Sequence, residues 1–229
     1  MPSEYRQHRF VSPTGSTDIL LVRHGESEAA NPDCPFPLVD GQGDPPLHEV
    51  GHVQAHQVAE RLQHEPIKAI YVSNLRRTAQ TADPLARTLD LVPTVIPDLK
   101  EIHLGDYEGG LYRKKVAEND PKLQRAIREQ RWDLIPGAER NEDFEARLKS
   151  AISRISETHP DQLVAAFVHR AVIGQIVSSA TGSKSMSFLG ADNGSITHIV
   201  VTKSQILVRR FNDTSHLTKR YWSHADSLR

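Results

Sequence analysis

Three short apolar runs constrain the fold of this chain more than any other feature. Ile19-Leu20-Leu21-Val22, Ala69-Ile70-Tyr71-Val72 and Leu163 to Val168 are continuous runs with no polar alternation, the pattern of strands buried on both faces of a parallel sheet. Amphipathic stretches stand between and after them. His48 to Gln63 reads as a helix with Val50, Val53, Val58 and Leu62 on one side. Leu75 to Leu89 reads as a second, striped by Leu75, Ala79, Ala82 and Ala86. Asn141 to Thr158 and Ala171 to Ala180 add two more. Ile196–Val201 and Ile206–Phe211 read as strands joined tightly through Thr202–Gln205, which predicts an antiparallel hairpin at one side of the sheet. Strands alternating with helices give the expected class: α/β, a three-layer α/β/α sandwich with a mostly parallel central sheet. The charged residues 112–132, interrupted at Pro121, predict a small helical cap.

The organisation follows. Residues 1–18 read as a flexible or loosely docked leader, 19–217 as one domain with a cap insertion at 110–136, and 218–229 as a tail. Residues 31–47, rich in proline and glycine, read as a long irregular loop of the kind that carries function. The 28 basic and 29 acidic residues leave a net charge of -1, which argues against a general nucleic-acid or membrane binder. Cys34 is the single cysteine, so no intrachain disulfide is available and a free thiol is expected. No run nears the ~20 apolar residues that span a bilayer, and the opening residues lack a signal-like apolar stretch. The expected location is the cytoplasm, and a homo-oligomer is left open.

Ligands of such sheets bind beyond the carboxyl ends of the strands. The first run ends in Arg23-His24-Gly25-Glu26-Ser27, the second leads into Ser73-Asn74-Leu75-Arg76-Arg77, and the third ends in His169-Arg170. Arginine offers a planar fork of donors matched to phosphate oxygens. Neighbouring arginines also disfavour protonation of a histidine, which keeps a ring nitrogen free to attack. Gly25 would let the backbone pass close to a bound anion. These parts describe a phosphate pocket with a nitrogen nucleophile, without metal-ligand spacing or a Walker loop. Each part also has a plain structural reading: Arg76-Arg77 as a solvated face, His169 as a hydrogen-bonded core histidine. The residues alone reach as far as a phosphate-binding α/β domain.

Ordered along the chain stand Leu21-Val22-Arg23-His24-Gly25-Glu26-Ser27, Pro46-Leu47-His48-Glu49-Val50-Gly51, Ser73-Asn74-Leu75-Arg76-Arg77-Thr78-Ala79, Leu99-Lys100-Glu101-Ile102-His103-Leu104-Gly105-Asp106-Tyr107-Glu108-Gly109, Pro136-Gly137-Ala138-Glu139, Val168-His169 and Asn193-Gly194-Ser195-Ile196. In that order they resemble the histidine phosphatase superfamily, also called the phosphoglycerate mutase-like family, over Ile19 to Leu217. The resemblance implies that His24 is the nucleophile that becomes phosphorylated. It implies that Arg23, Arg77 and His169 hold the transferring phosphoryl oxygens. Glu101 would be the general acid that protonates the leaving oxygen and then activates water. No cofactor and no metal are implied, and the partner is a small phosphorylated substrate.

The chain departs from the family pattern at three places. Arg170 stands where glycine is usual, and either points away or adds a cation for a substrate with a second anionic group. Ala30 takes the place of an expected asparagine, with Asn31 following it as the candidate phosphate contact. Ala138 replaces a glycine before Glu139. The compact span from Glu101 to His169 resembles the phosphatase branch, so the expected function is a phosphomonoester hydrolase acting through phosphohistidine. The alternatives are a cofactor-dependent phosphoglycerate mutase and a non-catalytic phospholigand-binding module. Specificity is expected from the 31–47 loop and the cap, where Lys114, Lys115, Arg125, Arg128 and Arg131 read either as a second anion site or as a solvated helix face.

Overall fold

The computed structural model describes residues 7–31 and 33–217. The expected tail and the first six residues of the expected leader lie outside the described residues. Six strands form the main sheet: β1 (Thr17–Arg23), β4 (Ile67–Val72), β5 (Thr94–Val95), β6 (Leu163–Val168), β7 (Ile196–Val201) and β8 (Ile206–Asp213). Their order across the sheet is β5-β4-β6-β1-β7-β8. β1, β4, β5 and β6 run parallel, β7 pairs antiparallel with β1, and β8 pairs antiparallel with β7.

The continuous apolar strands serve both faces by alternation. Ile19 and Leu21 of β1, with Val164, Ala166 and Val168 of β6, enter one core. Leu20 and Val22, with Ala165 and Phe167, enter the other. The second core is closed by α1 (Glu49–Leu62) and α2 (Arg76–Leu89) through Val58, Leu62, Ala82 and Leu85. The first is closed by α5 (Asn141–Thr158) and α6 (Arg170–Thr181) through Phe144, Leu148, Ile152, Val172 and Ile173. Each face thus removes a stripe of aliphatic side chains from water, the main stabilising term of such a sandwich.

The cap lies over the first core. It consists of α3 (Leu111–Ala117), α4 (Pro121–Glu129) and a single 3₁₀ turn at Trp132–Leu134, anchored by Leu123, Ala126, Trp132 and Ile135. Pro121 is the break expected from the sequence, and it acts as a start. It occupies the first position of α4, where its missing N–H costs nothing, and Asp120 accepts from the amides of Lys122 and Leu123.

Some readings of the sequence are corrected. The loop at 31–47 is not wholly irregular: it contains a hairpin of β2 (Leu38–Val39) and β3 (Gln42–Gly43). Its turn is Asp40-Gly41, both at positive φ (48° and 79°), the pair that a two-residue hairpin turn favours. In α1, Val50 and Val53 are 45 % and 57 % exposed, so they are not core residues. The buried stripe is Gly51, Ala55, Val58, Ala59 and Leu62. Gly51 sets that rotation, because its Cα packs on the backbone of Glu26, where a Cβ would come within 2.0 Å of the carbonyl oxygen. In α2, likewise, Ala79 is exposed while Thr78, Thr81 and Leu85 are buried beside Ala82 and Ala86. Within the expected leader, β1 already begins at Thr17, and the Arg209 guanidinium lies 3.6 Å from the centre of the Phe10 ring. Among the described residues no helix is long and apolar enough to cross a membrane.

Candidate active site

The site forms where β1, β4 and β6 end. β1 delivers Arg23 and then His24; the turn after β4 opens α2 and delivers Arg77; β6 delivers His169, the N-cap of α6. The strands are adjacent in the sheet, so residues far apart in sequence meet. The His24 and His169 ring centres lie 5.2 Å apart with planes inclined at 60°.

His24 is held from three sides. Its carbonyl accepts from Asn193 Nδ2 at 3.0 Å, and the Gly194 amide, in a turn at positive φ, closes on the Arg23 carbonyl at 3.0 Å. Its Nδ1 lies 2.7 Å from the carbonyl oxygen of Gly25. A carbonyl only accepts, so Nδ1 carries the proton and Nε2 of the neutral ring keeps its lone pair. Burial, then Arg77 and Arg23, holds His24 well below its ordinary pKa. The ring is therefore a neutral nitrogen base at physiological pH. Gly25 also serves the contact with α1, because a Cβ there would meet the Gly51 carbonyl oxygen at 2.4 Å.

The arginines are anchored by single backbone carbonyls. Arg23 donates one bond to Ala191 O at 2.8 Å, and its buried Nε has no partner among the described residues. Arg77, buried, donates to Gly43 O at 3.0 Å, while its neighbour Arg76 turns outward onto Asp44 through its side chain and its amide, each at 2.8 Å. Of the Arg76-Arg77 pair it is thus Arg77 that points inward. Burial, then Arg170, pulls Arg23 down to about 10, which leaves it cationic at neutral pH. Burial lowers Arg77 too, against the attraction of Glu101 and Asp44.

His169 is fully buried and its Nε2 meets Ser73 Oγ at 2.9 Å. Its Nδ1 is buried without a partner among the described residues. Burial, then Arg77 and His24, keeps it well below its ordinary value. Glu101 bridges two elements: Oε1 accepts from the Ile102 amide at 3.0 Å and Oε2 from the Ala171 amide, in the first turn of α6, at 3.2 Å. Burial raises its pKa, while those two amides and then Arg77 and Arg23 pull it down.

The remaining candidates are placed differently. Arg170 is exposed at the rim, and its Nε bonds the Leu189 carbonyl, so it neither leaves the site nor enters it deeply. Asn31 is exposed and spends its side-chain oxygen on the amide of Asp33 at 2.9 Å; among the described residues nothing joins it to the cluster. Sequence reading overlooked Arg113, whose guanidinium reaches from α3 to Ser27 Oγ and Glu28 O, each at 2.7 Å, and lies 5.4 Å from the Phe36 ring centre. Arg113 is the cap cation that meets the loop after β1. Lys114 and Lys115 instead face Glu118, and Arg125 faces Glu129.

Two buried neutral histidines make stability depend on pH. Each protonates near 6.5 when unfolded and only at much lower pH when folded, so unfolding takes up protons below pH 6.5. Their stabilising contribution is complete above pH 6.5 and is lost as pH falls toward the folded values, by up to about 1.4 kcal/mol per pH unit for each. Glu101, raised by folding, acts in the opposite sense above its unfolded value of 4.5. The denaturant midpoint is expected to fall from pH 6.5 to 5.5, and to fall less steeply in His169→Asn. Equal slopes in the two proteins would contradict the assignment.

A family model described as histidine phosphatase superfamily (branch 1) matches residues 19–214. The chain belongs to the histidine phosphatase superfamily. It is 36 % identical to the metal-independent phosphoserine phosphatase of Arabidopsis thaliana over 210 residues, covering 88 % of this chain and 84 % of that one. It is 32 % identical to phosphoglycerate mutase-like protein 4 of the same organism, covering 72 % of each chain. The solved mycobacterial glucosyl-3-phosphoglycerate phosphatase shares the fold with a TM-score of 0.71 at 24 % identity, covering 86 % of this chain and 99 % of that chain. The relatives named phosphatases, with the family match, make this chain a phosphatase of the superfamily.

Proposed function

We propose that the chain is a metal-independent phosphomonoester hydrolase that works through a phosphohistidine at His24 Nε2, with O-phosphoserine as its first candidate substrate. The observation that carries this reading is the Nδ1–H···O=C bond from His24 to Gly25, which leaves Nε2 as the nucleophilic atom beside two anchored arginines. In the first step Nε2 forms a bond to phosphorus and the ester P–O bond breaks. Glu101, protonated, gives its proton to the leaving oxygen. In the second step the Glu101 carboxylate takes a proton from water, the water oxygen attacks phosphorus, and the N–P bond breaks, returning His24 neutral. Arg23, Arg77 and His169 hold the three equatorial oxygens, whose charge they stabilise most in the transition state.

The name of the Arabidopsis relative supports both the substrate and the metal independence. The Arg23 and Arg77 guanidinium groups beside His24 supply the charge that metal ions supply elsewhere. Residues 19–217 form the catalytic domain, with 110–136 as the specificity cap over the site. A cytoplasmic setting fits the exposed free thiol of Cys34.

O-phosphoserine hydrolysis is expected to proceed at full rate in excess EDTA and to be inhibited by vanadate. Loss of turnover in EDTA, restored by a divalent cation, would overturn the mechanism. Interconversion of 3- and 2-phosphoglycerate without phosphate release would make the protein a mutase.

A further inference from the structure

Glu101 sits on a segment with little structure of its own. One 3₁₀ turn at Pro97–Leu99 precedes it, and the next regular element is another single turn at Gly105–Tyr107. Such a segment leaves its backbone carbonyls without ladder partners, and unmet buried carbonyls are costly. Here they converge on one side chain. Arg147, on α5, donates from Nη1 to Asp98 O at 2.6 Å and Lys100 O at 2.8 Å, and from Nη2 to Glu101 O at 2.9 Å. Its remaining N–H groups go to Glu139, Nε to Oε1 at 2.7 Å and Nη2 to Oε2 at 2.9 Å. All five guanidinium donors are therefore used within the protein, and none is left for a substrate.

Glu139 extends the grip. Its Oε2 accepts from the His103 amide at 3.2 Å, and its own amide donates to His103 O at 2.9 Å. The pair is nearly enclosed, with side-chain exposures of 13 % and 16 %, and the Phe144 ring centre lies 4.6 Å from the guanidinium carbon. From the other side Gln42, carried in by the β2–β3 hairpin, donates to Glu101 O at 2.8 Å.

We propose that Arg147, locked by Glu139, is the positioning residue for the general acid: it fixes the backbone on both sides of Glu101 and so the direction of its carboxyl group. This rests on the reading of Glu101 as the proton donor to the leaving oxygen. The planar fork is needed because one point charge cannot span three carbonyls and a bidentate carboxylate, so lysine does not replace it.

Leaving-group dependence separates this role from simple support of the fold. kcat/KM covers the steps up to loss of the leaving group, before water enters. O-phosphoserine has a basic leaving oxygen and needs the acid, whereas 2,4-dinitrophenyl phosphate loses its phenolate unaided. Glu101→Gln is expected to lose about 10²–10⁴-fold on phosphoserine and little on the dinitrophenyl ester. Arg147→Lys is expected to show the same split, about 10–100-fold on phosphoserine and under about twofold on the other. Glu139→Gln, which keeps the size of the side chain, is expected to show it in weaker form and decides alone if Arg147→Lys does not fold. Equal losses on both esters, or no loss on either, in the clamp variants while Glu101→Gln keeps its split would overturn the proposal. Absence of the split in Glu101→Gln itself would instead overturn the acid assignment.

Discussion

His24→Ala is expected to lower kcat by on the order of 10⁴-fold or more on every phosphomonoester. The size follows from the division of labour in the site. Arg23 and Arg77 are anchored independently of the imidazole, on the carbonyls of Ala191 and Gly43, so the variant keeps its cationic pocket. It loses the ring nitrogen that the bond to Gly25 sets free for attack beside the two arginines. Vanadate or phosphate is therefore expected to bind the variant with an affinity within about tenfold of wild type, while turnover disappears. Calorimetry with inorganic phosphate and a continuous phosphate-release assay check the two halves. Residual kcat above a tenth of wild type would place the nucleophile elsewhere, and loss of anion binding would show that the ring holds the arginines in place.

Gly51→Ala is the substitution expected to cost the most stability. Its Cβ would stand 2.0 Å from the Glu26 carbonyl oxygen and 2.9 Å from the Glu26 nitrogen, and both obstacles are backbone. A flexible side chain could swing aside; here α1 or the catalytic loop must move as a unit. The expected loss is about 3 kcal/mol or more, at the upper end for overpacked sites. Activity should fall as well, because residues 24–28 form the loop whose Gly25 carbonyl orients His24. Gly190→Ala is the internal control, since a Cβ there meets nothing within 4 Å, and its stability is expected within about 1 kcal/mol of wild type. Denaturant unfolding of the three proteins decides it. A Gly51→Ala protein as stable as the control would mean that the α1–loop contact is looser than described.

The legible parts of the fold share one physical property: their signal is local. Continuous apolar runs marked β1, β4 and β6 because both faces of these strands are buried, and α5 matched its expected span, Asn141–Thr158, from end to end. The β2–β3 hairpin was missed although its Asp40-Gly41 turn was in plain view, since four residues of strand leave no periodicity to read. Val50 and Val53 were misassigned because hydrophobicity alone set the face of α1. In the protein a backbone contact at Gly51 sets it.

The site divides the same way. His24, Arg77 and His169 follow the ends of readable strands, so their convergence could be expected. Arg113, Arg147 and Ser73 act through partners 86, 46 and 96 positions away in the chain, and no spacing rule reaches that far. Asn31, expected from the family's asparagine, gives its side-chain oxygen to its own turn at the Asp33 amide.

Turnover is expected to pass through a covalent intermediate on His24. The most direct measurement is rapid alkaline quenching of the wild-type enzyme during turnover of radiolabelled phosphomonoester, followed by peptide mapping. The label is expected to be stable to base and labile to acid, confined to the peptide containing His24 and absent from His24→Ala. Unlabelled protein during steady turnover, or label on a serine or aspartate peptide, would contradict it.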